Sequence, residues 1–218
     1  MSANTGASEN TSIDGVEVMA LSVEAIEDLV GRALSHRASP EQIERVEKEL
    51  GRYPRGIVAV GASCVCGNPL AVITRPLLPG GIPFPTTCYL TAPEAVKAVS
   101  QLEAEGRMAA WNEALAQDED LRVGYGRAHR TYLAFRRALA QGLGDDESHI
   151  EGVSAGGMPS RVKCLHALVA QSLVMGEGVN PVGDQTLAEV KGLFDPVVCR
   201  CERPWGCAEG QGAGPEGR

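Results

Sequence analysis

The sequence predicts an α+β fold in which a small antiparallel β-sheet of about three strands packs against a layer of helices. Two β-branched runs, 55–63 and 69–75, flank the turn sequence CVCGN, which is typical of a hairpin. Helical apolar spacing with capping residues occurs before and after this hairpin. Residues 160–176 form the most apolar helical pattern, so we expect a buried central helix there.

Two helices precede the sheet. The first begins after Ser22, a good N-cap, and carries an apolar stripe from Ala25 to Leu34. The second has Ser39 as its N-cap and Pro40 at its first position, and it ends at Gly51.

The segments after the hairpin alternate between loops and helices. Residues 76–86 are rich in Pro and Gly, which excludes a helix or a central strand, and 86–90 predict a third short strand. The patterns that follow predict helices over 93–106, 107–117, 122–141, 160–176 with Ser160 as N-cap, and a short one within 180–190.

The predicted domain organisation is a single α+β domain between two tails. Residues 1–18 are polar and acidic, lack apolar periodicity and predict a disordered tail, and Met19 is an alternative start. Residues 19–200 form the domain. Residues 201–218 are rich in Cys and Gly and predict a flexible tail.

Composition limits the partners and the compartment. The net charge is −8, and outside 1–31 the 22 acidic residues nearly balance 20 basic ones, which argues against a nucleic-acid-binding face. No apolar run is long enough for a membrane span, and no secretory signal is recognisable, so we predict a cytoplasmic protein. Seven cysteines, an odd number, do not indicate a disulfide framework in that compartment. No protein partner can be named.

Cys64 and Cys66 are the first candidate metal ligands. Residues i and i+2 of a strand point to the same face, and two thiolates beside a turn supply half of a tetrahedral zinc site. The alternative is that both are core cysteines that pack as small apolar residues.

Cys164 and His166 are the natural candidates for the other half. A position near a helix N-terminus and next to Lys163 favours a thiolate at Cys164, and an imidazole can ligate a metal or act as a base. Residues i and i+2 of a regular helix do not face each other, so either the first turn is irregular or only one of the two joins a site.

The same segment has a second interpretation as an anion site. Gly156 and Gly157 precede the predicted helix start, and Arg161 and Lys163 lie in its first turn, where a phosphate or carboxylate would be favoured. The alternative hypothesis is therefore an enzyme or small-anion binder with Cys164 or His166 as its reactive group. A third hypothesis is an interaction protein whose cysteines only fill the core.

The tail sequence CRCERPWGC, residues 199–207, repeats the C-x-C spacing. It either folds back to complete a site or is a mobile segment with incidental thiols.

Three segments together resemble a bacterial family, the domain of unknown function 501 (DUF501). They are CVCGNP, PFPTTCYLTAP (83–93) and the long stretch from GGMPSRVKCLHALVA to GVNPVGD (156–184). The resemblance covers roughly 40–200 and implies no activity, substrate or cofactor.

The resemblance sharpens the metal hypothesis in one respect. Its motifs map onto Cys64, Cys66, Cys164 and His166, but Ala92 stands where the pattern has a cysteine, and Cys88 is too far along a strand to replace it. A missing thiolate disfavours an iron–sulfur cluster, which usually needs four. We therefore predict a structural zinc site formed by Cys64, Cys66, Cys164 and His166.

Overall fold

The described part of the chain, residues 19–202, 204 and 205 of a computed structural model, confirms the α+β prediction. Within these described residues, seven α-helices lie around a small antiparallel sheet. The helices are α1 (Val23–Ser35), α2 (Pro40–Leu50), α3 (Pro93–Ala104), α4 (Arg107–Gln117), α5 (Glu119–Leu143), α6 (Leu165–Met175) and α7 (Pro181–Glu189). The strands are β1 (Ile57–Ser63), β2 (Pro69–Thr74), β3 (Leu77–Leu78), β4 (Ile82–Pro83) and β5 (Cys88–Leu90). The tail predicted over 1–18 lies outside the described residues, as do residues 203 and 206–218 of the tail predicted over 201–218.

The capping residues set the ends of the first two helices as predicted. The Ser22 hydroxyl accepts a hydrogen bond from the Ala25 N–H at the start of α1. Ser39 and Gln42 form a reciprocal capping box at the start of α2, and Gly51 ends that helix in the left-handed conformation.

The sheet has the order β1-β2-β5, with β2 in the centre. All six residues of β2 are buried, because β1 and β5 pair with its two edges and helices cover its face. In the Pro/Gly-rich loop, β3 and β4 form a separate two-stranded ladder. The β1–β2 hairpin therefore projects its turn, residues 64–68, from the end of the three-stranded sheet.

Helix α6 is the buried central helix that its apolar pattern predicts. It packs across β5, β2 and β1 and also contacts α3 and α7. Gly183 of α7 allows close contact between α6 and α7, since a Cβ at this position would lie 2.4 Å from the Leu168 carbonyl oxygen. Gln171 and Asn180 are buried and hydrogen-bonded to each other at 2.8 Å.

The predicted start of α6 is wrong by four residues. The helix begins at Leu165, with Cys164 as its N-cap residue, and Ser160 is not its cap. The side-chain amide of Asn112 pairs with both the N–H and the carbonyl of Val162 at 2.8 and 3.0 Å, and the Gly156 carbonyl accepts the Lys163 N–H at 2.7 Å. These tertiary bonds hold 160–164 out of the helix.

None of the helices in the described residues is both long enough and apolar enough to cross a lipid bilayer.

Candidate metal-binding sites

The turn between β1 and β2 presents Cys64 and Cys66 at the end of the sheet. The turn is closed by a bond of 2.8 Å from the Cys64 N–H to the Asn68 carbonyl and by one of 2.7 Å from the Gly67 N–H to the Cys64 carbonyl. Gly67 has a φ of +94°, which a residue with a side chain rarely adopts. The glycine after the second cysteine therefore lets the chain reverse directly beside both thiols.

The C-terminal segment folds back over this turn. The Glu202 N–H donates to the Glu94 carboxylate at the start of α3 at 3.2 Å, and Trp205 packs on Gly67. The Arg45 guanidinium lies over the Trp205 ring, 5.6 Å from its centroid. The start of the predicted tail thus lies against the domain, at residues 201, 202, 204 and 205.

This return places four cysteines together: Cys64, Cys66, Cys199 and Cys201. Their Sγ atoms all lie within 4.8 Å of one another, and those of Cys66 and Cys201 are 3.7 Å apart. Four sulfurs bound tetrahedrally at about 2.3 Å from zinc would be about 3.8 Å apart. The geometry is therefore compatible with a single metal ion bound by four thiolates.

Backbone donors around the turn act on the charge of these thiols. Burial would raise the pKa of Cys66, but N–H groups of Asn68 and Trp205 and the neighbouring cysteines lower this pKa to about 7. Burial raises the pKa of Cys64 and of Cys201.

Cys164 and His166 lie in a second cluster, with Glu103 of α3. The His166 Nδ1 atom is 3.1 Å from the Glu103 carboxylate and 4.0 Å from the Cys164 Sγ. The bond with Cys164 and the charges of Glu103 and Cys164 outweigh burial and raise the pKa of His166 to about 9. Because Cys164 precedes the helix in an extended conformation, the two side chains meet despite their i, i+2 spacing.

The predicted set of Cys64, Cys66, Cys164 and His166 is therefore divided between two clusters in the described residues. Glu94, at the start of α3, bonds the C-terminal segment that carries Cys199 and Cys201, whereas Glu103, near the end of α3, belongs to the second cluster. The nine residues between these two positions correspond to about 14 Å along the helix. The prediction that the hairpin and the start of α6 converge on one ion is corrected on this ground. Each pair instead finds partners from another part of the chain.

The predicted anion-binding residues Gly156, Gly157, Arg161 and Lys163 line one groove of about 400 Å³, together with Cys164. Arg161 and Lys163 are exposed beside it. Backbone donors at the predicted helix start are already used, since the Arg161 N–H bonds the Gly157 carbonyl, the Lys163 N–H bonds the Gly156 carbonyl and the Leu165 N–H bonds Glu103. An anion in this groove would therefore depend mainly on the two cationic side chains.

Cys88 is a core residue, fully buried in β5, and belongs to neither cluster. Cys207 lies outside the described residues. Ala92 is buried at the N-cap of α3, and with Cys199 and Cys201 four thiols are available without a cysteine at this position.

Glu103 is the site residue that sequence reasoning missed. It is one of two glutamates on α3, with Glu105 directly after the helix, and nothing in the local pattern distinguishes it from Glu94 or Glu105. Its role depends on the packing of α3 against α6, which no local signal predicts.

A family model described as "Protein of unknown function (DUF501)" matches residues 60–188, more than half of the chain. The chain belongs to the DUF501 family. The match covers the hairpin turn, α3 and the start of α6, whereas Cys199 and Cys201 lie beyond it. No curated protein and no solved structure matches this DUF501 protein.

Proposed function

We propose that Cys64, Cys66, Cys199 and Cys201 bind one zinc ion and that this ion has a structural role. The observation that carries the proposal is the convergence of four Sγ atoms to within 4.8 Å of one another. In structural zinc sites four protein ligands fill the tetrahedral positions, which leaves none for a substrate.

The ligand set favours zinc over other centres. Tetrahedral sites of four sulfurs are typical of zinc or of iron bound by sulfur. In a polynuclear iron–sulfur cluster the four thiolates are divided between different iron atoms, which keeps some of the sulfurs well apart, so four sulfurs that all lie within 4.8 Å of one another are better suited to a single ion.

Hydrogen-bond donors around the sulfurs support the same proposal. The Cys66 N–H lowers the pKa of Cys64, the N–H groups of Asn68 and Trp205 lower the pKa of Cys66, and the Asn68 side chain lowers the pKa of Cys201, against the opposing effect of burial. Donors of this kind orient ligands and stabilise their charge in metal sites. The donors around the turn would therefore favour the thiolate form of the ligands before an ion binds.

The structural role follows from where the ligands lie in the chain. Cys66 and Cys201 are 135 residues apart, and an ion between them would cross-link the β1–β2 turn to the C-terminal segment. Such a cross-link stabilises the folded state, because the unfolded chain offers no preformed site.

The test is the metal content of the full-length protein purified without chelator, measured by inductively coupled plasma mass spectrometry. We expect Cys66→Ser and Cys201→Ser each to remove about one equivalent of zinc per chain. Cys88→Ala is the matched control, since Cys88 is buried away from the cluster, and it should retain the wild-type content. A zinc content that Cys66→Ser leaves unchanged would contradict the proposal.

A second candidate function is the binding of a small anion in the groove beside Cys164. It is favoured by the observation that Gly156, Gly157, Arg161 and Lys163 line a single groove. We expect Arg161→Ala combined with Lys163→Ala to abolish binding of inorganic phosphate in calorimetric titrations, whereas Lys97→Ala, an exposed lysine on α3, should not. Equal binding by all three proteins would exclude this function.

A further inference from the structure

A side-chain cluster separate from the four cysteines joins α3 to the start of α6. It consists of Glu103, Cys164 and His166, whose ligand atoms lie within 4.8 Å of one another. All three are partly exposed, so an ion or a small molecule can reach them.

The hydrogen bonds of His166 determine which nitrogen faces the cluster as an electron-pair donor. Its Nε2 atom lies 3.2 Å from the Val96 carbonyl oxygen and 3.1 Å from the Ser100 hydroxyl. Because a carbonyl can only accept, Nε2 carries a proton, and in the neutral ring Nδ1 has a lone pair. Nδ1 faces the Glu103 carboxylate and the Cys164 sulfur, so three electron-pair donors converge when an incoming ion displaces the proton on Nδ1.

We propose that Glu103, Cys164 and His166 form a second metal site, with zinc as its ion and one coordination position left for an exchangeable ligand. One sulfur, one nitrogen and one oxygen donor form a mixed set of the kind zinc accepts, and three protein ligands are typical of zinc sites that bind water or substrate. This site does not depend on the four-cysteine centre, with which it shares no residue.

The surrounding structure holds the three ligands in position. Glu103 accepts the Leu165 N–H at 2.6 Å, and this bond fixes the carboxylate at the start of α6. The Val96 carbonyl fixes the ring of His166, and the pairing of Asn112 with Val162 holds the chain just before Cys164. Outer hydrogen bonds of this kind orient metal ligands.

The position of Cys164 indicates what the exchangeable ligand would be. Cys164 also lines the groove that contains Arg161 and Lys163, so an ion bound to its sulfur would lie beside two cations. Water or a small anion, such as a carboxylate or a phosphate, is the ligand class that this charge favours.

The test is zinc protection of Cys164 against iodoacetamide, followed by peptide mass spectrometry on the full-length protein. We expect zinc to slow carbamidomethylation of Cys164 at least about tenfold in the wild type, since alkylation needs the free thiolate. His166→Gln and Glu103→Gln should lose this protection. Glu103→Gln keeps an oxygen that can accept the Leu165 N–H, and Glu105→Gln, directly after the end of α3, is the control that should retain protection.

The outcomes separate this site from the four-cysteine centre. Protection of Cys164 that persists in Cys66→Ser but is lost in His166→Gln supports a second site even if the first fails. Unprotected Cys164 in a protein that holds one zinc at the four cysteines overturns the second site alone. In that case a proton occupies Nδ1, and an ion pair between His166 and Glu103 is what remains.

Discussion

At the scale of single residues, Gly67 decides whether the hairpin turn can present two thiols. Its positive φ reverses the chain directly after Cys66, and its missing side chain leaves room for Trp205, whose ring would lie 3.1 Å from an added Cβ. A glycine is therefore required at position 67 for two reasons, the backbone conformation of the turn and the close contact with the C-terminal segment.

We predict that Gly67→Ala weakens zinc binding and destabilises the protein. The left-handed conformation alone costs a residue with a Cβ roughly 1–2 kcal/mol, and displacement of Trp205 would disturb the segment that carries Cys201. The measurement is a zinc competition titration with a chromophoric chelator, together with thermal unfolding.

Gly80→Ala is the matched control, because Gly80 has a φ of +92° and an added Cβ there meets nothing within 4 Å. It should share the conformational cost but keep wild-type zinc affinity. Equal zinc affinity in the two variants would show that the contact with Trp205 does not matter for the site.

At the scale of elements, the segment before α6 is positioned by α3 and α4 rather than by its own sequence. Glu103 of α3 accepts the Leu165 N–H, and Asn112 of α4 pairs with the backbone of Val162. Side chains from two other helices thereby set where α6 begins and where Cys164 lies.

We predict that Asn112→Ala costs about 1–3 kcal/mol of unfolding free energy, because the buried Val162 loses partners for its N–H and its carbonyl. Chemical denaturation measures this cost. The alkylation rate of Cys164 should also change, since its backbone anchor is lost. Gln101→Ala is the control, because it removes only a local bond to Glu105 at the end of α3. The prediction would be contradicted if Asn112→Ala lowered the unfolding free energy no more than Gln101→Ala does.

The contrast between α1 and α6 shows what the sequence predicts and what it does not. Ser22 and Ser39 cap their helices through bonds to residues three positions away, so local pattern was sufficient for α1 and α2. The cap of α6 comes from Glu103, 62 residues earlier, and Ser160 offered a convincing but incorrect local alternative.

At the scale of the whole molecule, contacts between distant segments explain why the four predicted metal ligands lie in two clusters instead of one. The closely spaced candidate ligands can be recognised in the sequence. Which of them share a site depends on which segments the fold brings to each end of α3. Cys64 and Cys66 meet the returning C-terminal segment at one end, and Cys164 and His166 meet Glu103 at the other. The family model matches residues 60–188, which include all of the Glu103, Cys164 and His166 cluster but only two of the four cysteines of the other cluster.

The central claim is that one ion joins the hairpin turn to the C-terminal segment through four thiolates. The most direct measurement is an anomalous difference map, recorded from crystals of the full-length protein on both sides of the zinc absorption edge. The account predicts a peak equidistant from the Sγ atoms of Cys64, Cys66, Cys199 and Cys201, at about 2.3 Å from each. An ordered four-cysteine cluster without such a peak, in protein never exposed to chelator, would contradict it.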